Sequence, residues 1–251
     1  MNLLPNTTTA DVRRDGPQVA VLPIGSFEQH GDHLPLTTDT LVASAVAAAI
    51  ATAYNVLLLP AMPLSCSQEH SRWPGTISIT HHTLSYVVTD VAASLAGQGI
   101  DHLAIVNGHG GNYVLSNVVQ TANAARLGSM TLFPTRADWD LARRDADLAS
   151  DSHEDMHAGE LEVSILLATN PDAVRTEALA ADHRADDRPF LLVHGMAPYT
   201  DSGVIGRPSA GDAAKGKAVL DSLTRSFADH LRALGVDDAP AVRPRGDASP
   251  V

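Results

Sequence analysis

Histidine and acidic side chains are concentrated in residues 24–39 (IGSFEQHGDHLPLTTD), where five potential metal ligands lie within twelve positions: Glu28, His30, Asp32, His33 and Asp39. Glu28 and His30 are two positions apart, so in extended backbone their side chains project from one face. Gly31 permits a sharp turn that can return Asp39 to the same place. Carboxylate and imidazole ligands suit Zn or Mn, and a shared carboxylate is what a two-metal site needs. The alternative is a polar loop in which Asp39 only caps the next helix.

A second candidate is His109, which stands between glycines in residues 107–112 (NGHGGN). It follows an apolar run that predicts a buried parallel strand, and ligands bind at the carboxyl edge of open α/β sheets. A helix predicted to begin directly afterwards offers N–H groups to an anion. A Gly-rich turn is also a common structural connector, and neither of the usual nucleotide-loop patterns is present.

A third cluster lies in residues 152–162 (SHEDMHAGELE), where His157 and Glu162 flank a predicted helix start. Acidic residues at a helix start favour the helix dipole, which is the purely structural explanation. Glu162, however, lies between two apolar residues beside a buried stripe, where an unpaired carboxylate is expensive and a metal would neutralise it. Residues 153–155 are expected to be solvated.

The fourth candidate is His70, in the motif 69–76 (EHSRWPGT) of a long irregular segment. It could bind substrate, stabilise an oxyanion or orient its loop. Six of the twelve histidines fall in these four places: His30, His33, His70, His109, His153 and His157. Ser26, Ser67 and Cys66 lack the sequence context of an activated nucleophile, which disfavours covalent catalysis.

The elements that must position these residues follow from hydrophobic patterning. Short apolar runs predict strands at 19–22, 56–59, 103–106 and 130–133, and they alternate with helical segments at 40–54, 83–95 and 113–127. This alternation indicates α/β class: a single three-layer α/β/α domain with a mostly parallel central sheet. We divide the chain into an N-terminal arm (1–17), this domain (18–236) and a disordered tail (237–251).

Composition narrows the function classes. The formal charge is −12 and no Lys/Arg run occurs, which argues against nucleic acid or an anionic membrane as partner. Cys66 is the single cysteine, so a thiolate metal cage and an intrachain disulfide are excluded. No signal peptide or membrane-spanning apolar run is recognisable, so we expect a cytoplasmic location.

The four motifs, in this order and spacing from about residue 18 to residue 234, resemble the creatininase (creatinine amidohydrolase) family. The resemblance implies a three-layer α/β fold with a dinuclear metal site that hydrolyses C–N bonds of amides, often cyclic ones. It also implies a homo-oligomer, such as a hexamer, in which residues 176–207 could form a partner surface or a lid. The expected cofactors are two divalent ions, Zn, Mn or Fe.

The resemblance also implies roles for individual residues, according to their positions in the four motifs. One metal would be held by Glu28, Asp39 and His109. The other would be held by His30, Asp39 and Glu162, with Asp39 bridging. His157 matches the family histidine proposed to deliver a proton, and His70 and Glu69 are further catalytic candidates.

The chain departs from creatininase on the substrate side. Gly110 and Gly111 stand where creatininase carries Tyr and Glu, so one acidic group is missing. Trp139 matches the first of two substrate-contacting tryptophans, whereas His153 stands in place of the second. We therefore expect these four residues to contact a substrate other than creatinine.

The function expected from these residues is a dinuclear-metal amidohydrolase that cleaves a non-peptide C–N bond in a small cyclic amide or formamide. Attack by a metal-activated hydroxide is expected, with His157 as the proton donor. Family members with the Gly-Gly form include deformylases of flavin intermediates and the peptidase that trims the mycofactocin precursor. The alternatives are therefore a peptidase of that kind or a non-catalytic metal- or ligand-binding subunit.

Overall fold

The computed structural model describes residues 4–236, so the predicted disordered tail (237–251) lies outside the described residues. The segment expected to be an N-terminal arm contains helix α1 (Thr9–Asp15). A capping box begins this helix: the Thr8 hydroxyl accepts from the Asp11 N–H, and the Asp11 carboxylate accepts from the Thr8 N–H at 2.9 Å. No residue of α1 is fully buried, and Val12 alone of its residues packs in part against the core that contains Ala20 and Leu22.

The described residues form one four-stranded parallel sheet, which confirms the predicted fold class. Its strands are β1 (Val19–Ile24), β2 (Val56–Leu58), β3 (His102–Asn107) and β4 (Met130–Phe133). The order is β2-β1-β3-β4, so β1 and β3 are central neighbours. Their register pairs Ile24 with Asn107, and the two strands therefore end at the same level of the sheet. The segments that follow them, which carry the first two motifs, must lie side by side.

Seven more α-helices follow α1 in the described part of the chain. They are α2 (Thr38–Ala53), α3 (His81–Ala96), α4 (Val114–Ala125), α5 (Arg136–Asp145), α6 (Glu160–Thr169), α7 (Leu191–His194) and α8 (Ala213–Ala233). No helix within residues 4–236 is long and apolar enough to cross a membrane.

Alternate side chains of the sheet pack into two cores, one on each face, which makes the three layers. Val19 and Val21 join the core formed with α2, α5, α6 and α8, whereas Ala20 and Leu22 join the core formed with α3 and α4. Both faces of the central strands β1 and β3 are therefore buried, as their continuous apolar runs predict, whereas β2 at the sheet edge is half-buried.

Two glycines bring the start of α2 against the ends of the central strands. A Cβ on Gly25, directly after β1, would lie 2.6 Å from the Asp39 carbonyl carbon and closer still to the Thr40 backbone. A Cβ on Gly108, directly after β3, would overlap the Asp39 carbonyl oxygen. The absence of side chains at both positions therefore places Asp39 at the carboxyl edge of the sheet.

Candidate metal centre

The five predicted metal ligands converge at the carboxyl edge of β1 and β3. Three groups of side chains have ligand atoms within 4.8 Å of one another: Glu28, Asp39 and His109; His30, Asp39 and Glu162; and Glu28, His30 and His157. Four different parts of the chain supply the five predicted ligands. The segment after β1 carries Glu28 and His30, α2 carries Asp39, the turn after β3 carries His109, and α6 carries Glu162.

The first group is organised by the tautomer of His109. Its Nε2 lies 2.8 Å from the Cys66 carbonyl oxygen, which can only accept, so Nε2 carries the proton. The Nδ1 lone pair of the neutral ring therefore faces Glu28 Oε1 at 3.2 Å and Asp39 Oδ2 at 3.1 Å. Three electron-pair donors around one point are the environment of a cation.

The second group repeats this arrangement around His30. Its Nδ1 donates to the Glu28 carbonyl oxygen at 3.1 Å, which leaves Nε2 as the electron-pair donor. Nε2 lies 3.1 Å from Asp39 Oδ1 and 3.7 Å from Glu162 Oε1. Asp39 thus presents one carboxylate oxygen to each group, the arrangement of a bridging ligand. The Ser26 hydroxyl donates to Asp39 Oδ2 at 2.6 Å and holds this carboxylate in place.

Hydrogen-bond satisfaction indicates that the cluster fits divalent cations. Glu28 is fully buried, and within residues 4–236 neither of its carboxylate oxygens has a well-aligned hydrogen bond; the nearest polar atoms to Oε1 are imidazole nitrogens of His70 and His109, both at 3.2 Å. A bare buried carboxylate costs several kcal/mol, on the order of 3–5 kcal/mol when a paired charge loses its partner. A metal ion bound beside Glu28 would remove that cost, and the oxygen and nitrogen donor set suits Zn, Mn or Fe.

Without a cation, protons take its place. Burial alone would lower the pKa of His30, but the carboxylates of Asp39 and Glu162 raise it well above the ordinary value. In His109, too, burial would lower the pKa, but the Glu28 and Asp39 carboxylates raise it well above the ordinary value. Metal ions and protons therefore compete for these two rings.

Glu162 is oriented by a backbone contact that depends on His33. The Ala158 N–H donates to Glu162 Oε2 at 2.6 Å, from a left-handed conformation with φ 56°. The Ala158 carbonyl in turn accepts from His33 Nε2 at 2.8 Å. His33 therefore supports a ligand rather than joining one of the three groups. Asp32, the other candidate of this stretch, is exposed and belongs to none of them.

Two buried histidines and Gln29 stand beside the ligands. His157 Nε2 lies 2.7 Å from the Gln29 carbonyl oxygen and so carries the proton, while Nδ1 lies 3.9 Å from Glu28 Oε1. The Gln29 side-chain amide lies 2.9 Å from His70 Nδ1, so His70 accepts there and turns Nε2 toward Glu28 Oε1 at 3.2 Å. Burial and the neighbouring His157 lower the pKa of His70 far below its ordinary value.

Gln29 is a site residue that the motif analysis did not single out. It lies between Glu28 and His30 in the same motif, and its amide also donates to the Gly203 carbonyl at 3.1 Å. Period-two alternation could have indicated that Gln29 points away from the two ligands, but its partners are far along the chain.

Glu69 reaches the metal centre because position 111 has no side chain. Its Oε1 lies 3.4 Å from His109 Nε2, and the carboxylate is 17% exposed. A Cβ on Gly111 would overlap both Glu69 Oε1 and His109 Nε2. The second glycine of the Gly-Gly pair therefore makes room for an acidic group that comes from another loop.

Two cavities adjoin the ligands. The larger, of about 680 Å³, is lined by the predicted residues Gly110, Trp139 and His153 and by the ligands His109 and Glu162. The smaller, of about 370 Å³, is lined by Glu69, Gly111 and residues 191–195. Tyr113 lines both, so the two cavities are neighbours.

Three arginines of the larger cavity, Arg136, Arg143 and Arg188, are absent from the predicted site. Arg188 lies in a loop with no motif, and Arg136 and Arg143 lie in a helix whose polar residues resemble an ordinary solvated face. No local sequence signal distinguishes them, because only the folded chain brings them to one cavity.

Comparison with known proteins decides the family. A sequence model described as Creatininase, creatinine amidohydrolase, matches residues 5–231. The chain belongs to the creatininase family. This confirms the family relationship that the four motifs predict.

Relatives within the family carry two different names. Mycofactocin precursor peptide peptidases of Mycolicibacterium smegmatis and Mycobacterium ulcerans are 31% and 34% identical to the chain. Their alignments cover 85% and 86% of this chain, and 84% and 85% of the relatives. Creatinine amidohydrolase of Pseudomonas putida is 27% identical over 86% of this chain and 90% of its own length.

Solved creatininase structures share the fold. A creatinine amidohydrolase (creatininase) superposes with a TM-score of 0.77 at 24% identity, covering 90% of this chain and 95% of its own. A structure described as Creatininase Mn gives 0.76 at 23% identity, covering 92% and 98%. Another creatininase is described as Zn-Zn type, so this fold carries Mn or Zn sites in those proteins.

The expectation of an enzyme restricted to non-peptide C–N bonds is wrong. The relatives at 31% and 34% identity are peptidases by name. The physical reason is that the ligand motifs describe how metals are held, and the same ions can activate attack on a peptide or a non-peptide amide. The motifs do not describe the surface that receives the rest of the substrate.

Proposed function

We propose that this protein is a metal-dependent peptidase that trims a modified peptide, of the mycofactocin-precursor type. The observation that supports this most strongly is a pair of cavities, about 680 Å³ and about 370 Å³, that share Tyr113 as a wall; His109 lines the larger and Glu69 lines the smaller. A small cyclic amide needs one pocket, whereas a peptide cleaved within its chain needs room on both sides of the scissile bond. The identity to the mycobacterial peptidases supports the same conclusion.

Two divalent ions are the proposed cofactors, one held by Glu28, Asp39 and His109 and the other by His30, Asp39 and Glu162. The chemistry supplied by such ions when bound is polarisation of the scissile carbonyl and acidification of a water molecule. Asp39 would keep the two sites together because each of its oxygens faces a different histidine, at 3.1 Å in both cases.

His157 is the proposed carrier of the proton that the leaving nitrogen requires. Its Nε2–H is committed to the Gln29 carbonyl, so Nδ1 is the atom that can take up a proton and deliver it. Nδ1 lies 3.9 Å from Glu28 Oε1, at the edge of the ligand cluster. An amide nitrogen leaves poorly as an anion, so this transfer is needed for bond cleavage.

Glu69 and His70 are given different roles in the proposal. Glu69 is partly exposed beside His109, where it can contact the substrate in place of the acidic group that creatininase carries at position 111. His70 is buried between Gln29 and Glu28, and its proposed role is to orient the Glu28 carboxylate. Trp139 and Gly110 line the larger cavity and are the proposed walls for the peptide.

The test is hydrolysis by protein loaded with Zn or Mn. Synthetic mycofactocin precursor peptide, in unmodified and modified forms, and a panel of short peptides would be incubated with it and the products identified by mass spectrometry. We expect cleavage at a defined peptide bond and no turnover of creatinine. Properly folded, metal-loaded protein that cleaves none of these peptides would contradict the proposal.

We also propose that the protein is a homo-oligomer. Three exposed apolar residues around α7 support this, since Phe190, Leu192 and Val193 are 70%, 80% and 74% exposed. They lie in the segment 176–207, which the sequence analysis expected to form a partner surface or a lid. Light scattering over a range of concentrations tests the proposal, and a concentration-independent monomer would rule it out.

A further inference from the structure

We infer that the larger cavity contains a carboxylate-binding site, in which Arg188 and Arg136 contact the ligand and His153 positions Arg188. The inference rests on the proposed peptidase function, because the ligand is a carboxylate of the peptide substrate. The carboxylate can be the free C-terminus of the peptide or an acidic side chain within it.

The charges that line this cavity favour an anion. Its wall carries three guanidinium groups, those of Arg136, Arg143 and Arg188, and two carboxylates, those of Asp155 and Glu162. Arg143 pairs with Asp155 at 3.1 Å, and Glu162 belongs to the metal ligands. The other two guanidinium groups therefore have no carboxylate partner within the cavity lining, although Arg136 Nε lies 3.8 Å from Asp140 outside it. Such a concentration of positive charge in a concave site attracts and orients anionic groups.

Arg188 is held in place by groups that leave its charge intact. Its Nη2 donates to the His153 carbonyl oxygen at 3.1 Å and to His153 Nδ1 at 3.2 Å, and its Nη1 donates to the Ala185 carbonyl oxygen. No Asp or Glu within residues 4–236 forms an ion pair with it. A guanidinium has five N–H donors, so Arg188 retains donors for a ligand carboxylate.

The tautomer of His153 explains how the ring holds Arg188. Its Nε2 lies 2.9 Å from the Asp186 carbonyl oxygen and must carry the proton, since a carbonyl can only accept. Its Nδ1 is therefore an acceptor, as the Arg188 guanidinium requires. His153 connects two points of the loop that carries Arg188. It is a positioning residue rather than the direct substrate contact that the sequence analysis expected.

Arg136 lines the same cavity from the first position of α5. The helix dipole favours an acidic residue there, so helix stability does not explain an arginine. Its side chain is 83% exposed and its Nε lies 3.8 Å from Asp140, a contact that contributes little in water. Trp139 stands one turn later in the same helix and lines the same cavity, where it offers an apolar surface beside the guanidinium.

The experiment measures binding of fluorescein-labelled short peptides to the metal-loaded protein by fluorescence anisotropy. One core sequence is made with a free or an amidated C-terminus, and with Glu or Gln at one internal position. We expect a peptide with a carboxylate to bind about tenfold more tightly than the fully neutral one, as for a charge-assisted hydrogen bond. Salt should reduce the preference.

Variants assign the preference to residues. Arg188→Gln should abolish it, Arg188→Lys should retain part of it, and Arg136→Gln should reduce it. Arg126→Gln is the matched control, because Arg126 also donates to a backbone carbonyl but does not line the cavity. His153→Ala should weaken the preference, while His153→Gln, which restores an acceptor, should recover it. The preference is the ratio of the two affinities within each variant, so a general loss of binding or of stability does not imitate its loss, and only Arg126→Gln should leave both affinities and the melting temperature unchanged.

Each outcome is decisive. Preference for the free C-terminus, or for internal Glu, supports the site and identifies the source of the carboxylate. The carboxylate-binding site is refuted if the wild type binds all peptides equally. It is also refuted if Arg188→Gln and Arg126→Gln lose the same amount of the preference. Because binding is read independently of cleavage, rapid hydrolysis of the neutral peptide would uphold the peptidase function while equal binding refutes this inference. Binding preference without cleavage of any peptide would refute only the function.

Discussion

The contact between Gly25 and the start of α2 leads to a sharp prediction: Gly25→Ala should disassemble the candidate metal centre although no ligand is replaced. The new Cβ would stand 2.6 Å from the Asp39 carbonyl carbon, against the 3.4 Å or more of an ordinary van der Waals contact. The obstacle is helix backbone, which cannot rotate away as a side chain can. Because the Thr40 backbone is nearer still, the first turn of α2 must retreat by more than about 0.8 Å, and Asp39 moves with it.

The expected magnitudes follow from that displacement. Overpacking of a buried contact costs about 1–3 kcal/mol, so the melting temperature should fall measurably. A misplacement of about 1 Å at a reacting centre can cost about a hundredfold in rate. The bridging carboxylate serves both proposed ions, so bound metal should also decrease.

The assay is metal content per chain by mass spectrometry after dialysis, together with the melting temperature. Gly97→Ala is the control, because its Cβ would meet nothing closer than 3.6 Å and it lies far from the site at the end of α3. Gly108→Ala presses on Asp39 from the other strand and should reproduce the loss. If Gly25→Ala retains wild-type metal content and stability, the close approach of α2 to β1 does not control the position of Asp39.

Three further perturbations test separate parts of the structure. Asp39→Asn should remove both ions, since each oxygen of Asp39 faces one histidine, and wild-type metal content would contradict the bridging role. His157→Ala should keep the metal while hydrolysis falls by about a hundredfold or more; loss of metal would make His157 a ligand. Lys215→Met should destabilise the fold by about 1–3 kcal/mol in urea unfolding, because Lys215 Nζ lies 2.6 Å from the buried Glu160 carboxylate. Burial would raise the pKa of Glu160, but Lys215 and Ser150 lower it below 4.5. The stabilisation by this ion pair is therefore complete above pH 4.5. It is lost as the pH falls through the lower pKa of the folded state. If the difference in unfolding free energy between wild type and Lys215→Met persists unchanged in strong acid, the ion pair with Glu160 does not cause it.

The Gly-Gly pair shows how one site can change while its ligands persist. Gly111 removes a side chain beside His109, and Glu69 occupies the space from a different loop. An acidic group thus remains near the ligands but on a more exposed side chain. Supplying the acidic group from a different loop changes which substrates the site can accept, while the atoms that would face the proposed metals stay the same.

Much of the fold was predictable from local pattern. Continuous apolar runs indicate strands buried on both faces, and all four predicted strands lie in the sheet within a few residues of their expected bounds. The turn after a central strand indicates a ligand-binding edge, and His109 lies there. These inferences succeed because strand burial and crossover geometry depend on the sequence within one βαβ unit.

Other features were not predictable. Glu69 approaches His109, Gln29 contacts His70 and His157, and His153 holds Arg188, each across a long separation in sequence. No periodicity or cap relates such residues, because their proximity is a product of how loops pack over the sheet edge. The substrate side of the cavity is built almost entirely from contacts of this type.

By itself, the sequence determined the α/β architecture, the family and the chemical types of the metal ligands, since these are carried by short motifs and by the alternation of apolar residues. Only the tertiary structure decided which nitrogen of each histidine faces the ligands, and that two cavities lie next to each other and share Tyr113 as a wall. The physical reason is that a tautomer and a cavity are set by the partners on the far side of a residue. Those partners become neighbours only when the chain is folded.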